Sequence, residues 1–76
     1  MEKIKEIFYN VLGIDKKLVN DNLSYQEYEK WDSLKHLQLV SAMEKKFDIE
    51  LDTDDIIAME NVGKIREILK KYGVQE

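Results

Sequence analysis

The chain has 76 residues, a formal net charge of −4, and neither cysteine nor proline. Such a length holds one domain at most, so residues 1–76 are expected to fold as a single unit that buries most of its apolar side chains. The composition excludes a disulfide framework and a thiolate metal site, no apolar run reaches the roughly 18 residues of a membrane span, and the acidic balance speaks against nucleic acid as a partner.

The N-terminus alternates Glu2, Lys3, Lys5 and Glu6 with apolar residues, which is unlike a signal peptide, so a soluble cytoplasmic protein is expected. The same stretch predicts a first helix from about Glu2 to Leu12. Its apolar residues Ile4, Ile7, Phe8, Val11 and Leu12 recur at i, i+3, i+4, i+7 and i+8 and form one stripe. Gly13 follows, where a left-handed C-terminal cap is expected. Residues 14 to 31 read as a long connector. Turn formers (Asp15, Asn20, Asp21, Asn22, Ser24) alternate there with apolar residues (Ile14, Leu18, Val19, Leu23, Tyr25, Tyr28, Trp31). That apolar content predicts a connector pinned across the helices rather than free.

A second helix is predicted from Ser33 to Phe47. At about 100° per residue, Leu39, Val40, Met43 and Phe47 share a core-facing side, whereas Leu34 and Leu37 point nearly the opposite way. Either the connector covers these two leucines or they are exposed for a partner. The run Phe47-Asp48-Ile49-Glu50-Leu51 alternates like a strand. It has no pairing candidate, so it reads as an extended link burying Ile49 and Leu51. Asp52 or Thr53 can cap a short third helix through about Met59, and Asn61 can cap a last helix carrying Val62, Ile65, Ile68, Leu69 and Tyr72, ended by Gly73. The predicted fold is all-α: an antiparallel bundle of three main helices and one short one, with a long loop between the first two.

Little in this chain can do chemistry. Asp32-Ser33-Leu34 puts a serine hydroxyl at the start of the second helix. His36, the sole histidine, lies one turn on but faces the core side, no acid completes a relay, and Gly-x-Ser-x-Gly is absent. Hence His36 reads as a partly buried histidine at the top of the bundle. What a helix N-terminus favours is a phosphate ester, through unpaired N–H groups and the positive end of the dipole. Asp52, Asp54 and Asp55 suggest a calcium loop, but counted from Asp52 the sixth position is Ile57 and the twelfth Gly63, so the EF-hand pattern fails. From Asp48 to Glu60 there are six acids and no Lys or Arg, which either solvate a turn or meet a basic partner. The Lys64–Lys71 tail is basic, as the end of a helix favours.

Asp32-Ser33-Leu34, mid-chain between these helices, resembles the acyl carrier protein family over nearly the whole length. The resemblance implies a non-catalytic carrier. Ser33 would bear a 4′-phosphopantetheine arm donated by coenzyme A, holding an acyl or aminoacyl group as a thioester. Partners would be a phosphopantetheinyl transferase, a loading ligase or transferase and downstream pathway enzymes, with the carrier a monomer. Asp32, Leu34, Leu37, Asp54 and Asp55 would form the partner-docking surface, and His36 would stand near the mouth of the interior, where a short acyl chain tucks. Fatty acid carriers usually have a second helix rich in Asp and Glu. Here residues 33–47 hold three lysines (Lys35, Lys45, Lys46) against Glu44, a local charge of +2. Together with Trp31, which is similar to stand-alone carriers of specialised pathways and to carrier domains of modular synthases, this predicts a dedicated pathway. Housekeeping fatty acid synthesis and aminoacyl or peptidyl transfer are the alternatives. From a different class, an unmodified interaction module could dock through Leu34 and Leu37.

Overall fold

The computed structural model describes residues 1–75. Its helices are α1 (Glu2–Leu12), α2 (Ser33–Phe47), α3 (Thr53–Ala58) and α4 (Val62–Lys71), and a 3-10 turn, Lys16–Leu18, follows α1. The bundle and the bounds of α1 and α2 agree with the sequence reading. The 3-10 turn is an addition, closed by Asp15, whose carboxylate accepts the Lys17 N–H at 2.9 Å. No helix among the described residues is long and apolar enough to cross a membrane.

α1, α2 and α4 each bury one apolar stripe. Ile4, Ile7, Phe8 and Leu12 of α1 meet Leu39, Val40 and Met43 of α2 and Val62, Ile65, Ile68 and Leu69 of α4. Gly13 ends α1 at φ 70°, a left-handed conformation that costs glycine least, and its N–H donates to the Tyr9 carbonyl. Asp48 ends α2 in the same region at φ 54°, which aspartate tolerates better than most residues. Phe47 is only half-buried, so it is a rim residue rather than the core residue its helical angle suggests.

The connector is pinned, as its apolar content implies. Ile14, Val19 and Trp31 are buried, whereas Leu18 is 58% exposed at the end of the 3-10 turn. Further on, the connector docks by backbone onto the start of α4. Tyr25 N–H donates to the Glu60 carbonyl at 2.9 Å, Val62 N–H to Leu23 at 3.0 Å and Gly63 N–H to Asp21 at 3.1 Å. A Cβ at Gly63 would lie 3.3 Å from the Asp21 carbonyl oxygen, so a side chain there would push the connector away. Arg66 clamps the Asp21 carboxylate with both bonds from Nη1, at 2.9 and 3.0 Å.

Six residues are too few for a helix to be stable alone, so α3 depends on its neighbours. Asp52 holds the N-cap position, one of the two the sequence offers, but its side chain makes no capping bond. Instead Tyr72, just past α4, accepts the Asp52 N–H at 3.1 Å and donates its own hydroxyl proton to Asp55. Lys71 Nζ donates to the other Asp55 oxygen at 2.7 Å. Asp55 is therefore 9% exposed and turned into the protein. Asp55, one of the residues expected on the docking surface, thus has its carboxylate bonded to Lys71 and Tyr72 as a latch to the end of α4, while Asp54 stays outside.

Two predictions follow from the packing. Met43→Ala should cost about 2–5 kcal/mol, the range for a fully buried apolar side chain, while Leu37→Ala should stay below about 1 kcal/mol, read by chemical denaturation. The latch sets a pH window. Hydrogen bonds from Lys71 and then Tyr72 hold the Asp55 carboxyl below its ordinary value, and the bond to Asp55 holds the Lys71 ammonium and the Tyr72 phenol above theirs. The Asp55 contribution is thus fully present above the ordinary carboxylate range, about pH 4, and is lost as pH falls through its lowered value. Those of Lys71 and Tyr72 hold below about pH 10 and fade as pH rises through the raised values. Amide resonances of Ile56 to Met59 should accordingly shift together in acid. Asp55→Asn should remove that step, and an acid titration unchanged by the variant would contradict the latch.

Candidate functional site

The start of α2 is built from its cap outward. Asp32 has extended backbone (φ −100°, ψ −175°), and its Oδ1 accepts the Lys35 N–H at 2.9 Å. The Asp32 carbonyl accepts the His36 N–H at 2.8 Å. Two amides of the first turn are therefore already engaged, and the cap's own carboxylate meets the positive end of the dipole. Ser33 is the first helical residue and is exposed. Its Oγ lies 2.9 Å from the Tyr25 hydroxyl, and either oxygen can donate.

Tyr25 reaches Ser33 from the connector because aromatic packing and one backbone bond hold it. Its N–H is tied to Glu60, its ring meets Trp31 edge-on at 6.0 Å, and it lies 5.6 Å from the His36 ring. Trp31 is buried, packed edge-on against Phe8 at 5.1 Å. Its indole N–H donates to His36 Nδ1 at 3.0 Å. Nδ1 is then the acceptor, so the ring proton stands on Nε2, which donates to the Ile56 carbonyl of α3 at 2.9 Å. His36 is thus half-buried as expected, with both nitrogens occupied, and the partner of Ser33 is Tyr25.

Beside Ser33 a groove of about 330 Å³ opens between α2 and α3, with Tyr25, His36, Leu37, Ile56, Ile57 and Met59 among its walls. On the rim Leu37 is 59% exposed and Ile57 71%, and Leu34, next to Ser33, is 64% exposed. The connector leaves the two leucines uncovered. The structure brings Asp32, Ser33, Leu34 and Leu37 together, with Asp54 exposed on the first turn of α3 and Asp55 turned away from this face. Sequence reasoning missed Ile57 and Tyr25. The signal for Ile57 was the Ile56-Ile57 pair, since adjacent helical residues cannot share one buried face. For Tyr25 there was only the choice of a tyrosine in an apolar position, which does not name its partner.

This arrangement has relatives. Residues 2–69 match the family model described as a phosphopantetheine attachment site. Among curated proteins, the acyl carrier protein of Bdellovibrio bacteriovorus is 34% identical over 71 residues, covering 93% of this chain and 91% of its own. That of Buchnera aphidicola is 35% identical over 72 residues, with 93% and 91% covered. That of Chlamydia felis is 33% identical over 69 residues, with 91% and 88% covered. The solution structure of a holo acyl carrier protein from Geobacter metallireducens superposes with a TM-score of 0.82 at 24% identity, covering 92% of this chain and 80% of that one, and so agrees in fold. With four α-helices among its described residues and an exposed serine opening the second, and matched from residue 2 to residue 69 by the attachment-site model, the chain belongs to the acyl carrier protein family, whose cofactor is 4′-phosphopantetheine.

Proposed function

We propose that Ser33 is the attachment residue, and that the chain is a non-catalytic carrier presenting an acyl or aminoacyl group to partner enzymes of a dedicated pathway. The observation carrying this reading is the setting of Ser33: exposed, first in α2, and on the edge of an apolar groove. The other serines lack that setting. Ser24 is half-buried and its hydroxyl donates to the Asn22 carbonyl at 3.2 Å, and Ser41 is in the middle of α2. The arm supplies a terminal thiol, on which acyl groups are held as thioesters. The chain's own residues do the rest. Asp32 fixes the turn that presents Ser33, and being exposed it can also meet the metal or basic residues of a transferase. The Ser33 hydroxyl proton leaves to the transferase's base as its oxygen bonds to the phosphorus next to the pantetheine arm; the pyrophosphate bond of coenzyme A breaks and adenosine 3′,5′-bisphosphate departs. Leu34, Leu37 and Ile57 offer apolar contact to whichever enzyme takes the cargo.

The charge pattern supports a dedicated pathway. Exposed on α2 are Ser33, Leu34, Leu37, Gln38, Ser41, Lys45 and Lys46, with no acid among them. Glu44, the one acid of the helix, is turned inward to accept the Leu51 N–H at 2.9 Å. A partner approaching α2 finds apolar and neutral surface that turns basic at Lys45 and Lys46, with Asp32 at one end and Asp52 and Asp54 on the neighbouring segment. Complementary charge governs encounter rate and partner choice, so an enzyme built for an acidic second helix matches this surface poorly.

Intact mass after incubation with coenzyme A and a phosphopantetheinyl transferase is the direct test. The parent should gain one arm and Ser33→Ala none, with helicity unchanged. Equal gain by both would reject Ser33, and no gain by the parent would favour an unmodified interaction module. Partner class is read from loading rates at low salt, since surface charges act over about 10 Å at 0.1 M. Asp52→Asn with Asp54→Asn should slow loading by a basic partner more than Lys45→Glu with Lys46→Glu. For fatty acid synthesis enzymes the lysine-reversed variant should be a better substrate than the parent. A parent that already serves those enzymes as well as a typical fatty acid carrier would move the assignment to housekeeping synthesis.

A further inference from the structure

We infer that Tyr25 is the positioning residue for the arm: its hydroxyl holds the Ser33 hydroxyl before modification and transfers its hydrogen bond to the phosphodiester afterwards. The inference rests on Ser33 being the attachment residue. Before modification the two oxygens are 2.9 Å apart and the bond can run either way. Modification removes that freedom. Oγ gives up its proton and becomes a bridging ester oxygen, which is a poor acceptor, while the non-bridging oxygens one bond beyond the phosphorus are anionic and strong acceptors. Tyr25 Oη then has a proton to donate, and rotation about the Ser33 Cβ–Oγ bond can bring a charged acceptor to it. No covalent bond to Tyr25 forms or breaks.

Its surroundings make this phenol the donor at hand. Asp32 already occupies the Lys35 N–H with its carboxylate and the His36 N–H with its carbonyl, and its negative charge disfavours the phosphate on the cap side. Of the two His36 ring nitrogens, Nδ1 accepts from Trp31 and Nε2 donates to Ile56, so neither is free to bind an anion. Tyr25 cannot simply swing away. Its N–H is bonded to Glu60 and its ring packs on Trp31. A phosphodiester held by Tyr25 is biased toward the side of Ser33 on which Tyr25 and the groove wall lie.

The test uses Tyr25→Phe, which removes one hydroxyl and keeps the ring contacts with Trp31 and His36. Apo parent and apo variant are converted with coenzyme A and a transferase, and intact mass reports the arm. The holo forms are compared by 31P NMR, and the parent's Tyr25 Cζ resonance is followed by 13C NMR from apo to holo. Three results are expected: one arm on each protein, a 31P line displaced by more than its width in the variant, and a Tyr25 Cζ shift on modification of the parent. The Cζ measurement needs no Tyr25 variant and so stands even if the substitution disturbs folding. Two arms gained with coincident 31P lines and an unmoved Cζ would overturn the role of Tyr25 alone. A parent that gains no mass would overturn Ser33 and Tyr25 together, and the mass spectrum tells these failures apart.

Discussion

The site depends on one buried donor. Trp31 stands two residues before Ser33 with its ring in the core, and its indole N–H has to find an acceptor there. Left unpaired, such a group costs on the order of 1–3 kcal/mol. His36 provides the acceptor and passes the requirement on, because a ring that accepts at Nδ1 donates at Nε2, here to the backbone of α3. Connector, α2 and α3 are joined through one imidazole. Ser33 lies between the two residues of that pair in sequence, and Tyr25 is packed on their rings. The serine is therefore exposed without being loosely placed: the side chains on either side of it are fixed by partners in other elements.

The second wall of the groove is held differently. α3 contributes part of Ile56 to the core and is followed by the buried Met59, but much of what orients it is polar. Asp55 is bonded to Lys71 and Tyr72, the Asp52 N–H to Tyr72, and the Ile56 carbonyl to His36. These contacts reach α3 from opposite sides, one set from the end of α4 and one from α2. The spacing of α2 and α3, and with it the groove, is set by where a tyrosine and a histidine reach. Charged and polar anchors of this kind are directional, whereas apolar contact alone would let so short a helix slide.

Much of the fold was legible because it rests on local rules. The stripe of Ile4, Ile7, Phe8 and Leu12, the left-handed Gly13 and the Asn61 cap, which accepts the Lys64 N–H at 2.7 Å, are decided within a few residues. The opposition of Leu34 and Leu37 to Met43 follows from helical angle and matches their exposure. What escaped was long-range and depends on which way a side chain turns. Asp54 and Asp55 are equivalent as letters, yet only Asp55 faces the end of α4. Asp52 looks like a cap, but the donor it would have satisfied on α3 goes unclaimed by its side chain while its own N–H is taken by Tyr72, 20 residues away. Tyr25 and Ser33 are 8 residues apart across a turn that no periodicity describes.

The chemistry around Ser33 also fits a carrier in what it withholds. A thioester survives only where no free base or nucleophile is held against it. The chain has no cysteine, and both nitrogens of its sole histidine are engaged. The neighbouring hydroxyl is a phenol, a weak nucleophile while protonated. Along the rim are Leu37 and Ile57, whose side chains carry no nucleophile. The pairing that makes Trp31 tolerable in the core thus also occupies both nitrogens of the imidazole one turn from Ser33. In this fold a single hydrogen-bond relay serves stability and chemical restraint together.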